Sequence, residues 1–454
     1  MRVTLLGHAS VLVEMEAATC LMDPVFFDPF EDGTVVSCPS RTVHLDALPH
    51  IDLLVVSHRH PDHFDVRSLN ELPRDCDAIC PADPLIVHGL RELGFERIHP
   101  VHPMGEIVGD GFELYPTRSE IRSIPEFGMV FRDRSGTLWN QVDCFLSPQT
   151  IDAVLDRFGR VDVLLAMYAS QNFDFFEDRS TDFPFDTHRQ NLQNVLQIQP
   201  RFAVPASAGF RFVDELGWLN RFLFPISPER FVRDLHHLEP ALPTCLMNPG
   251  DILDIDIDDG DVRSLRAASD VAVTNCDDTD LIGFDPTAPI PELVDPNPCG
   301  YPVVELTRRT EELAVEPLRR LAASPQVATD PVVSTYAALG VRYDLEVVLP
   351  DGDARTYRWE FGPPTAQLTH RIAASALLDW ATYAKDFFSV RCWSRRSQLS
   401  YRARRDNQQT LLERVAVPDL LMHYLINVAP GSELAAKHHL DSQLRQLADP
   451  RTRR

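Results

Sequence analysis

Short apolar runs separated by turn residues dominate the first 250 positions of this 454-residue chain. Continuous or alternating apolar runs predict strands, and longer amphipathic segments predict helices. The predicted strands are Val3–Leu6, Val11–Val13, Cys20–Met22, Ile51–Val56, Phe112–Tyr115, Gly128–Phe131, Leu138–Val142, Val161–Met167 and Phe202–Pro205, and the predicted helices are Pro84–Leu93 and Arg189–Ile198. Strands mixed with helices in this way predict an α+β fold in which two sheets pack between outer helices, an αββα sandwich.

The pattern changes after residue 250. Asp251–Asp261 is rich in aspartate and Pro286–Pro298 is rich in proline. No EF-hand spacing is present, so we interpret residues 251–300 as a solvated connector rather than a calcium site. Beyond the connector, Leu345–Leu349 and Thr356–Phe361 flank an Asp-Gly turn and predict a β-hairpin. Helices are then expected at residues 369–388, 408–427 and 432–447.

Length and composition limit the architecture and the partners. A chain of 454 residues is too long for one compact core, so we expect a first domain at residues 1–250, the connector, and a C-terminal α/β domain at residues 301–454. A net charge of −24 argues against nucleic acid as a partner, and no apolar run is long enough to span a membrane. Nine cysteines without a CxxC pair, and an N-terminus that reads as a strand, lead us to expect reduced thiols and a cytoplasmic protein.

The segment Ser57–His63 concentrates three imidazoles and one carboxylate directly after a buried apolar strand. Alternate residues at a strand end point the same way, so His58 and His60 can hold one metal ion. Asp62 and His63 follow as the chain turns, and they can reach a second metal ion about 3.5–4 Å away. The spacing HxHxDH therefore predicts a dinuclear metal site.

This motif resembles that of the metallo-β-lactamase fold, which implies an αββα sandwich with a mixed α/β C-terminal extension here. Enzymes of the fold add a bridging aspartate, and Asp143, at the end of a predicted strand, matches it. Hydrolases of the fold carry a histidine after an earlier Thr-Pro-like turn, but the stretch after Tyr115 offers only Glu120. Glu120 with His58 and His60 would make a two-histidine, one-carboxylate set, which suits iron with positions open for oxygen better than zinc. Glu120 and Asp143 are thus expected to determine the chemistry of the site.

The last expected ligand of the resemblance is a histidine. Hydrolases of the fold place it after the strand that corresponds to Phe202–Pro205, where this chain has Ala206-Ser207-Ala208. His188, directly before a predicted helix on the active-site side, is our choice for this ligand. The pair His236-His237 is the competitor, but its helical setting favours a packing or surface role.

Two families share further features with the chain. Asn140–Cys144, Gln199–Arg201 and the stretch from Trp380 to Arg396 resemble the part of CMP-N-acetylneuraminate hydroxylase outside its Rieske domain. The HxHxDH motif followed by a glutamate resembles the metallo-β-lactamase-fold diiron oxygenases of natural-product pathways, such as the chloramphenicol-pathway β-hydroxylase and the platensimycin-pathway diterpenoid thioester hydroxylase. These resemblances imply two iron ions, O₂ as co-substrate and hydroxylation of an unactivated C–H bond. This chain has no Rieske signature, so electrons would come from a separate reductase.

The substrate implied by the resemblance is a hydrophobic acyl thioester of coenzyme A or of a carrier protein in natural-product biosynthesis. Phenylalanines between Phe173 and Phe185 either form an apolar lid over the metals or pack in the core. Six arginines between Arg391 and Arg405 either bind the phosphates of the carrier or form a solvated face. The alternative function is a dinuclear zinc or manganese hydrolase that acts on a lactone, thioester or phosphodiester.

Overall fold

The computed structural model describes the chain except for residues 32, 121–123, 169–170, 173–174, 176–180, 207–208, 257–260, 266–271, 276–277, 325–330, 384–396, 404–419, 424–431 and 449–454. Two sheets face each other in the N-terminal domain, and helices cover their outer faces. The predicted α+β sandwich of αββα type is therefore confirmed. No helix in the described ranges is both long and apolar enough to cross a membrane.

Eight strands form the first sheet. They are β1 (Arg2–Gly7), β2 (Ser10–Glu14), β3 (Thr19–Met22), β6 (Leu53–Val55), β7 (Asp77–Pro81), β8 (Ile98–Val101), β16 (Ile252–Asp256) and β17 (Asp261–Leu265). Their order is β17-β16-β1-β2-β3-β6-β7-β8. Strands β3, β6, β7 and β8 run parallel to one another, so their carboxyl ends meet at one edge of the sheet.

Six strands form the second sheet. They are β9 (Ile107–Gly109), β10 (Phe112–Arg118), β11 (Phe127–Asp133), β12 (Gly136–Asn140), β13 (Val163–Met167) and β14 (Phe202–Ala206), in the order β14-β13-β12-β11-β10-β9. Strands β12, β13 and β14 are parallel, so their carboxyl ends also share an edge. Two short pairs complete the domain, β4 (Val35–Ser37) with β15 (Phe210–Phe212) and β5 (Arg41–Val43) with β18 (Val273–Asn275).

Apolar side chains fill three layers of this domain. One cluster, which includes Val13, Val55 and Phe131, lies between the sheets. A second, which includes Leu54 and Leu90, lies under the helices of the first sheet, and a third, around Trp139, lies under those of the second sheet. The helices are α1 (Val66–Asn70), α2 (Pro84–Glu92), α3 (Pro148–Phe158), α4 (Phe185–Ile198), α5 (Asn220–Leu223) and α6 (Pro228–Leu238).

The starts of three of these helices follow directly from the sequence. Asp83, Ser147 and Ser227 each precede a proline at the first helical position of α2, α3 and α6. Each side chain accepts a hydrogen bond from a backbone N–H of the first turn, which satisfies a group that has no partner within the helix. The sheet edges and helix starts near the site are therefore fixed by local sequence.

The C-terminal part forms a second α/β unit. Its elements are α7 (Val303–Thr310), a π-helical turn (Glu311–Val315), α8 (Glu316–Ala323), α9 (Pro331–Leu339), β19 (Val341–Val348), β20 (Ala354–Glu360), β21 (Ala366–Ala373), α10 (Ala374–Tyr383), β22 (Ser397–Ala403), α11 (Leu420–His423) and α12 (Ser432–Ala448). The four strands form one sheet in the order β20-β19-β21-β22. Its core is continuous with N-terminal residues such as Val25, Phe30 and, on β15, Phe210, so the unit packs directly on the first domain.

From residue 251 onward the structure differs from the sequence predictions at two places. The aspartate-rich segment is no plain connector, because β16 pairs with β1 and extends the first sheet. The start of the helix predicted at residues 369–388 belongs to β21, where buried and half-buried residues alternate, and the helix begins only at Ala374. The helix predicted at residues 432–447 is present as α12, whereas most of residues 408–427 lie outside the described residues.

Helix α12 returns to the first domain. Leu440 packs in the cluster beneath α2, and His88 Nε2 on α2 lies 2.6 Å from Asp441 Oδ1. The last part of the chain therefore covers the first domain as well as contacting α10.

Replacing Asp295 by alanine is expected to lower the free energy of unfolding by about 1–3 kcal/mol. The buried Asp295 carboxylate of the connector accepts hydrogen bonds from the backbone N–H (3.1 Å) and the hydroxyl of Ser375 in the first turn of α10. Urea unfolding measures the change. Asp285→Ala is the matched control, because Asp285 is exposed and its carboxylate accepts hydrogen bonds from the N–H and hydroxyl of nearby Thr287. Equal losses for the two variants would contradict the prediction.

Candidate metal centre

The loop that follows β6 brings its histidines to the carboxyl edge of the first sheet. His58 and His63 are almost completely buried, whereas His60 and Asp62 are partly exposed. The backbone turns at His60, whose carbonyl accepts from the N–H groups of His63 (2.9 Å) and Phe64 (2.8 Å). The His60 ring stands edge-on to that of His58, with centroids 4.5 Å apart.

A hydrogen-bonded relay behind the loop fixes the orientation of two imidazoles. Asp23, fully buried at the end of β3, accepts from the backbone N–H of Ser57 (2.7 Å) and lies 2.6 Å from its hydroxyl. Because that hydroxyl donates to Asp23, it can accept from His58 Nδ1 at 2.9 Å. His63 Nδ1 lies 2.9 Å from the same carboxylate. Both imidazoles are thereby held with Nδ1 protonated and with the Nε2 lone pair free for a metal ion.

These Nε2 atoms meet carboxylate oxygens from two other positions. His63 Nε2 lies 3.2 Å from Asp143 Oδ2 and 3.5 Å from Asp62 Oδ2. His58, His63 and Asp143 each offer a ligand atom, and the three atoms lie within 4.8 Å of one another. Among the described residues, neither Nε2 of His58 nor that of His63 has a hydrogen-bond partner.

A tight turn after β12 aims Asp143 at this cluster. The strand ends at Asn140, earlier than predicted, and Val142 takes a left-handed backbone conformation (φ 54°). The side-chain oxygen of Asn140 accepts from Val142 N–H, and the Gln141 amide bonds the carbonyl of Cys144 and the N–H of Met167. Asp143 therefore lies in a turn that side-chain hydrogen bonds stabilise, and not at the end of a strand.

Glu126 is a buried carboxylate that was not among the sequence predictions. It directly precedes β11, whose first N–H, that of Phe127, donates to the carbonyl of Ser57 at 3.3 Å. The residue is only 6% exposed, and neither carboxylate oxygen has a hydrogen-bond partner in the described part of the chain. The Ser119 hydroxyl lies close enough to lower its pKa, but burial dominates. A carboxylate immediately before an apolar strand was the available sequence signal.

The structure does not bring Glu120 into the cluster. Its side chain is exposed, and its backbone N–H donates to the carbonyl of Phe145 at 2.8 Å. The turn after β10 thus points this carboxylate to solvent, whereas the carboxylate of Glu126 is buried. The expectation that Glu120 binds a metal has no support in the structure, and Glu126 takes its place as the candidate.

His188 is also occupied elsewhere. It lies in the first turn of α4, where its Nε2 is 3.0 Å from Asp234 Oδ2 on α6. Its ring packs edge-on against Phe183 and Phe231. Among the described residues, His188 belongs to neither group that could hold a metal ion. The competitor His236 is engaged with the Thr244 hydroxyl and the Leu242 carbonyl, so neither expected histidine reaches the centre.

His8, in the turn between β1 and β2, does reach the centre. It is buried, and its Nε2 lies 3.0 Å from Asp62 Oδ2. Its ring stands 5.5 Å from that of His63, centroid to centroid. His8, Asp62 and His63 form the second group whose ligand atoms all lie within 4.8 Å of one another.

The charges of the cluster shift the pKa values of its members. Burial, with His63 nearby, lowers the pKa of His58 well below its usual value. Burial would also lower the pKa of His63, but Asp62 and Asp143 raise it well above its usual value. Burial raises the pKa of Glu126 to about 7. Negative charge is thus concentrated around His63, and a bound cation would offset it.

The residues present fit a pair of metal ions. Imidazole nitrogens and carboxylate oxygens meet within 4.8 Å in two groups, and the buried Nε2 atoms of His58 and His63 have no hydrogen-bond partner among the described residues, which is costly unless a ligand satisfies them. The donors are imidazoles and carboxylates without thiolates, which suits iron, manganese or zinc.

Comparison with known proteins agrees with this geometry. Residues 2–175 match the family described as Beta-lactamase superfamily domain. The N-terminal domain has the metallo-β-lactamase fold. Its edge, where the two sheets present the HxHxDH loop and Asp143, is the metal-binding edge expected from that fold.

Curated relatives of this metallo-β-lactamase-fold chain are longer proteins. A protein of Mycolicibacterium smegmatis named "Putative Rieske 2Fe-2S iron-sulfur protein" is 30% identical over 243 residues, which cover 48% of this chain and 46% of the relative. A similarly named protein of Mycobacterium tuberculosis is 28% identical over 180 residues, 37% of this chain and 34% of that protein. The chain spans less than half the length of these relatives.

Solved structures similar to part of this chain include a hydrolase and a hydroxylase. The isothiocyanate hydrolase from Delia radicum gut bacteria is 14% identical with a TM-score of 0.42, covering 56% of this chain and 99% of that chain. CmlA, a diiron beta-hydroxylase from Streptomyces venezuelae, is 15% identical with a TM-score of 0.39, covering 59% of this chain and 54% of that chain.

Proposed function

We propose that this chain is a non-heme diiron monooxygenase that hydroxylates an unactivated C–H bond of a hydrophobic acyl thioester. The observation that carries the proposal is the buried carboxylate of Glu126, which has no hydrogen-bond partner in the described chain and lies beside the histidine loop. Two histidines with one carboxylate and open coordination positions form the ligand set of non-heme iron oxygenases.

The proposed ligands come from both sheets. His58, His60 and Glu126 would hold one iron ion, Asp62 and His63 the other, and Asp143 would bridge the pair. When bound, such a pair supplies O₂ activation and the electrons for oxygen insertion. The proposed ligands shared with the sequence prediction are His58, His60, Asp62, His63 and Asp143.

The protein's own contribution is orientation and access. Asp23 and Ser57 keep the Nε2 lone pairs of His58 and His63 turned into the site, as their contacts indicate. The side chain of Asp143 is 32% exposed, whereas that of His63 is fully buried. Substrate would therefore approach from the side of Asp143. The hydrogen bonds of Asp23 and Ser57 would lie behind the metals, away from solvent.

The proposed hydroxylation needs a donor of electrons. The mycobacterial relatives bear names that describe Rieske iron–sulfur proteins, and Rieske clusters carry single electrons. This chain has no Cys-x-His paired with Cys-x-x-His. We therefore propose that a second protein delivers electrons to the diiron site.

The thioester substrate rests on the family resemblance, and the structure adds little to it. Phe175 is buried and stacks on Phe222 with centroids 4.7 Å apart, so it packs in the core and is not part of a lid. Phe185 is 72% exposed and could contact an apolar substrate. Most of the arginines between Arg391 and Arg405 lie outside the described residues.

Metal analysis of protein purified without oxygen tests the proposal. We expect about two iron ions per chain. With a chemical reductant and a panel of acyl-coenzyme A thioesters, we expect O₂ uptake that depends on the thioester. Zinc or manganese in place of iron, with hydrolysis of a lactone, thioester or phosphodiester and no O₂ uptake, would establish the hydrolase instead.

A further inference from the structure

We infer that His8 is the remaining metal ligand of this centre, in the role that the sequence suggested for His188. The inference rests on the proposed dinuclear site and adds to it an imidazole from the β1–β2 turn. The second metal would then be held by His8, Asp62 and His63, with Asp143 shared between the two metals.

The distances within the group fit common coordination. Two ligand atoms that each lie about 2.1 Å from one metal ion are about 3.0–3.5 Å apart at ordinary bond angles. His8 Nε2 lies 3.0 Å from Asp62 Oδ2, and His63 Nε2 lies 3.5 Å from the same oxygen. The His8 spacing therefore matches that of a residue in the HxHxDH motif itself.

The backbone conformation of the turn that carries His8 directs this residue toward the site. Gly7 (φ 124°) and His8 (φ 48°) both have positive φ, which bends the chain sharply toward the loop after β6. The Arg41 side chain packs against Gly7 so closely that a β-carbon there would lie 2.4 Å from Arg41 Nε. A non-glycine residue at position 7 would displace that arginine and with it the turn.

Surrounding aromatic rings hold the His8 imidazole in place. Phe30 and Phe210 lie 5.7 and 5.3 Å from it, centroid to centroid, and both belong to the core shared with the C-terminal unit. Gly209 also lies close to the backbone of His8, since a β-carbon on Gly209 would be 3.8 Å from the Cα atom of His8.

Two side chains that could compete with His8 are bound elsewhere. His188 faces Asp234, and His236 faces Thr244. Among these three histidines, only His8 joins a group with metal-binding geometry.

Binding of Co²⁺ to the full-length chain tests the inference without any catalytic assay. Each coordinated imidazole gives a strongly contact-shifted, exchangeable N–H proton signal in the NMR spectrum of the Co²⁺ protein. His8→Gln should lose one such signal and raise the Kd of one of the two Co²⁺ ions by more than about 100-fold, beyond the 10–100-fold typical of a lost outer partner. His188→Gln is the matched control and should keep all the wild-type signals.

The outcomes separate the inference from the proposed function. A His8→Gln protein that keeps every contact-shifted signal and both Co²⁺ affinities would overturn the role of His8 alone. Wild-type protein that binds no Co²⁺ at this site would overturn the dinuclear proposal as well. Circular dichroism verifies folding, and if His8→Gln does not fold, His8→Asn is measured in the same way against the same two criteria.

Discussion

Glu126→Gln is expected to reduce the iron content from two ions toward one and to lower thioester-dependent O₂ uptake at least about 100-fold. Glutamine keeps the shape of the side chain but removes the charge that a metal ion requires. The metal-free variant should be as stable as the wild type or more so, because a buried carboxylate without a hydrogen-bond partner in the described chain costs stability. Iron analysis, O₂ uptake and urea unfolding with a chelator measure these effects.

Glu120→Gln provides the matched control. It makes the same chemical change six positions earlier on an exposed side chain, so metal content, O₂ uptake and stability should stay at wild-type values. If Glu120→Gln lost iron while Glu126→Gln kept it, the assignment of the carboxylate ligand would have to be reversed.

The core of the centre was predictable from sequence because its signal is local. His58, His60, Asp62 and His63 lie within six residues after an apolar strand, and the strand edge dictates where they point. Asp143 was assigned from the family resemblance, which implies a bridging aspartate, together with its position after a predicted strand.

The remaining members depend on contacts that sequence spacing does not encode. Glu120 and Glu126 are both close to β11, and only the path of the chain before that strand decides which is buried. His8 is fifty positions from His58 and reaches the centre through a turn with positive φ. His188 lies near the correct edge, but Asp234 on another helix binds it.

The C-terminal unit shows the same limit on a larger scale. Part of strand β21 was interpreted as the start of a helix. Its buried and half-buried positions alternate, but alanine and threonine at these positions make the alternation hard to recognise in the sequence. The aspartate-rich segment looked like a linker, yet backbone pairing with β1 does not require apolar side chains. Hydrogen bonds between distant strands therefore decided both outcomes.

Asp23 is the second position at which we expect a large effect. Asp23→Ala leaves three buried donors without an acceptor, namely the N–H and hydroxyl of Ser57 and Nδ1 of His63. We expect a loss of about 3–5 kcal/mol in the free energy of unfolding of the metal-free protein. Urea unfolding with a chelator present measures it.

Asp23→Asn separates support of the ligands from support of the fold. The amide keeps the volume and one acceptor oxygen, so we expect a smaller stability loss of about 1–3 kcal/mol. It can no longer fix both Nδ1 protons, so metal affinity should fall about 10–100-fold. Asp52→Asn is the control, because Asp52 caps the opposite end of β3 through Thr19 and is partly exposed. A metal affinity unchanged in Asp23→Asn would show that the relay through Ser57 does not orient His58 and His63.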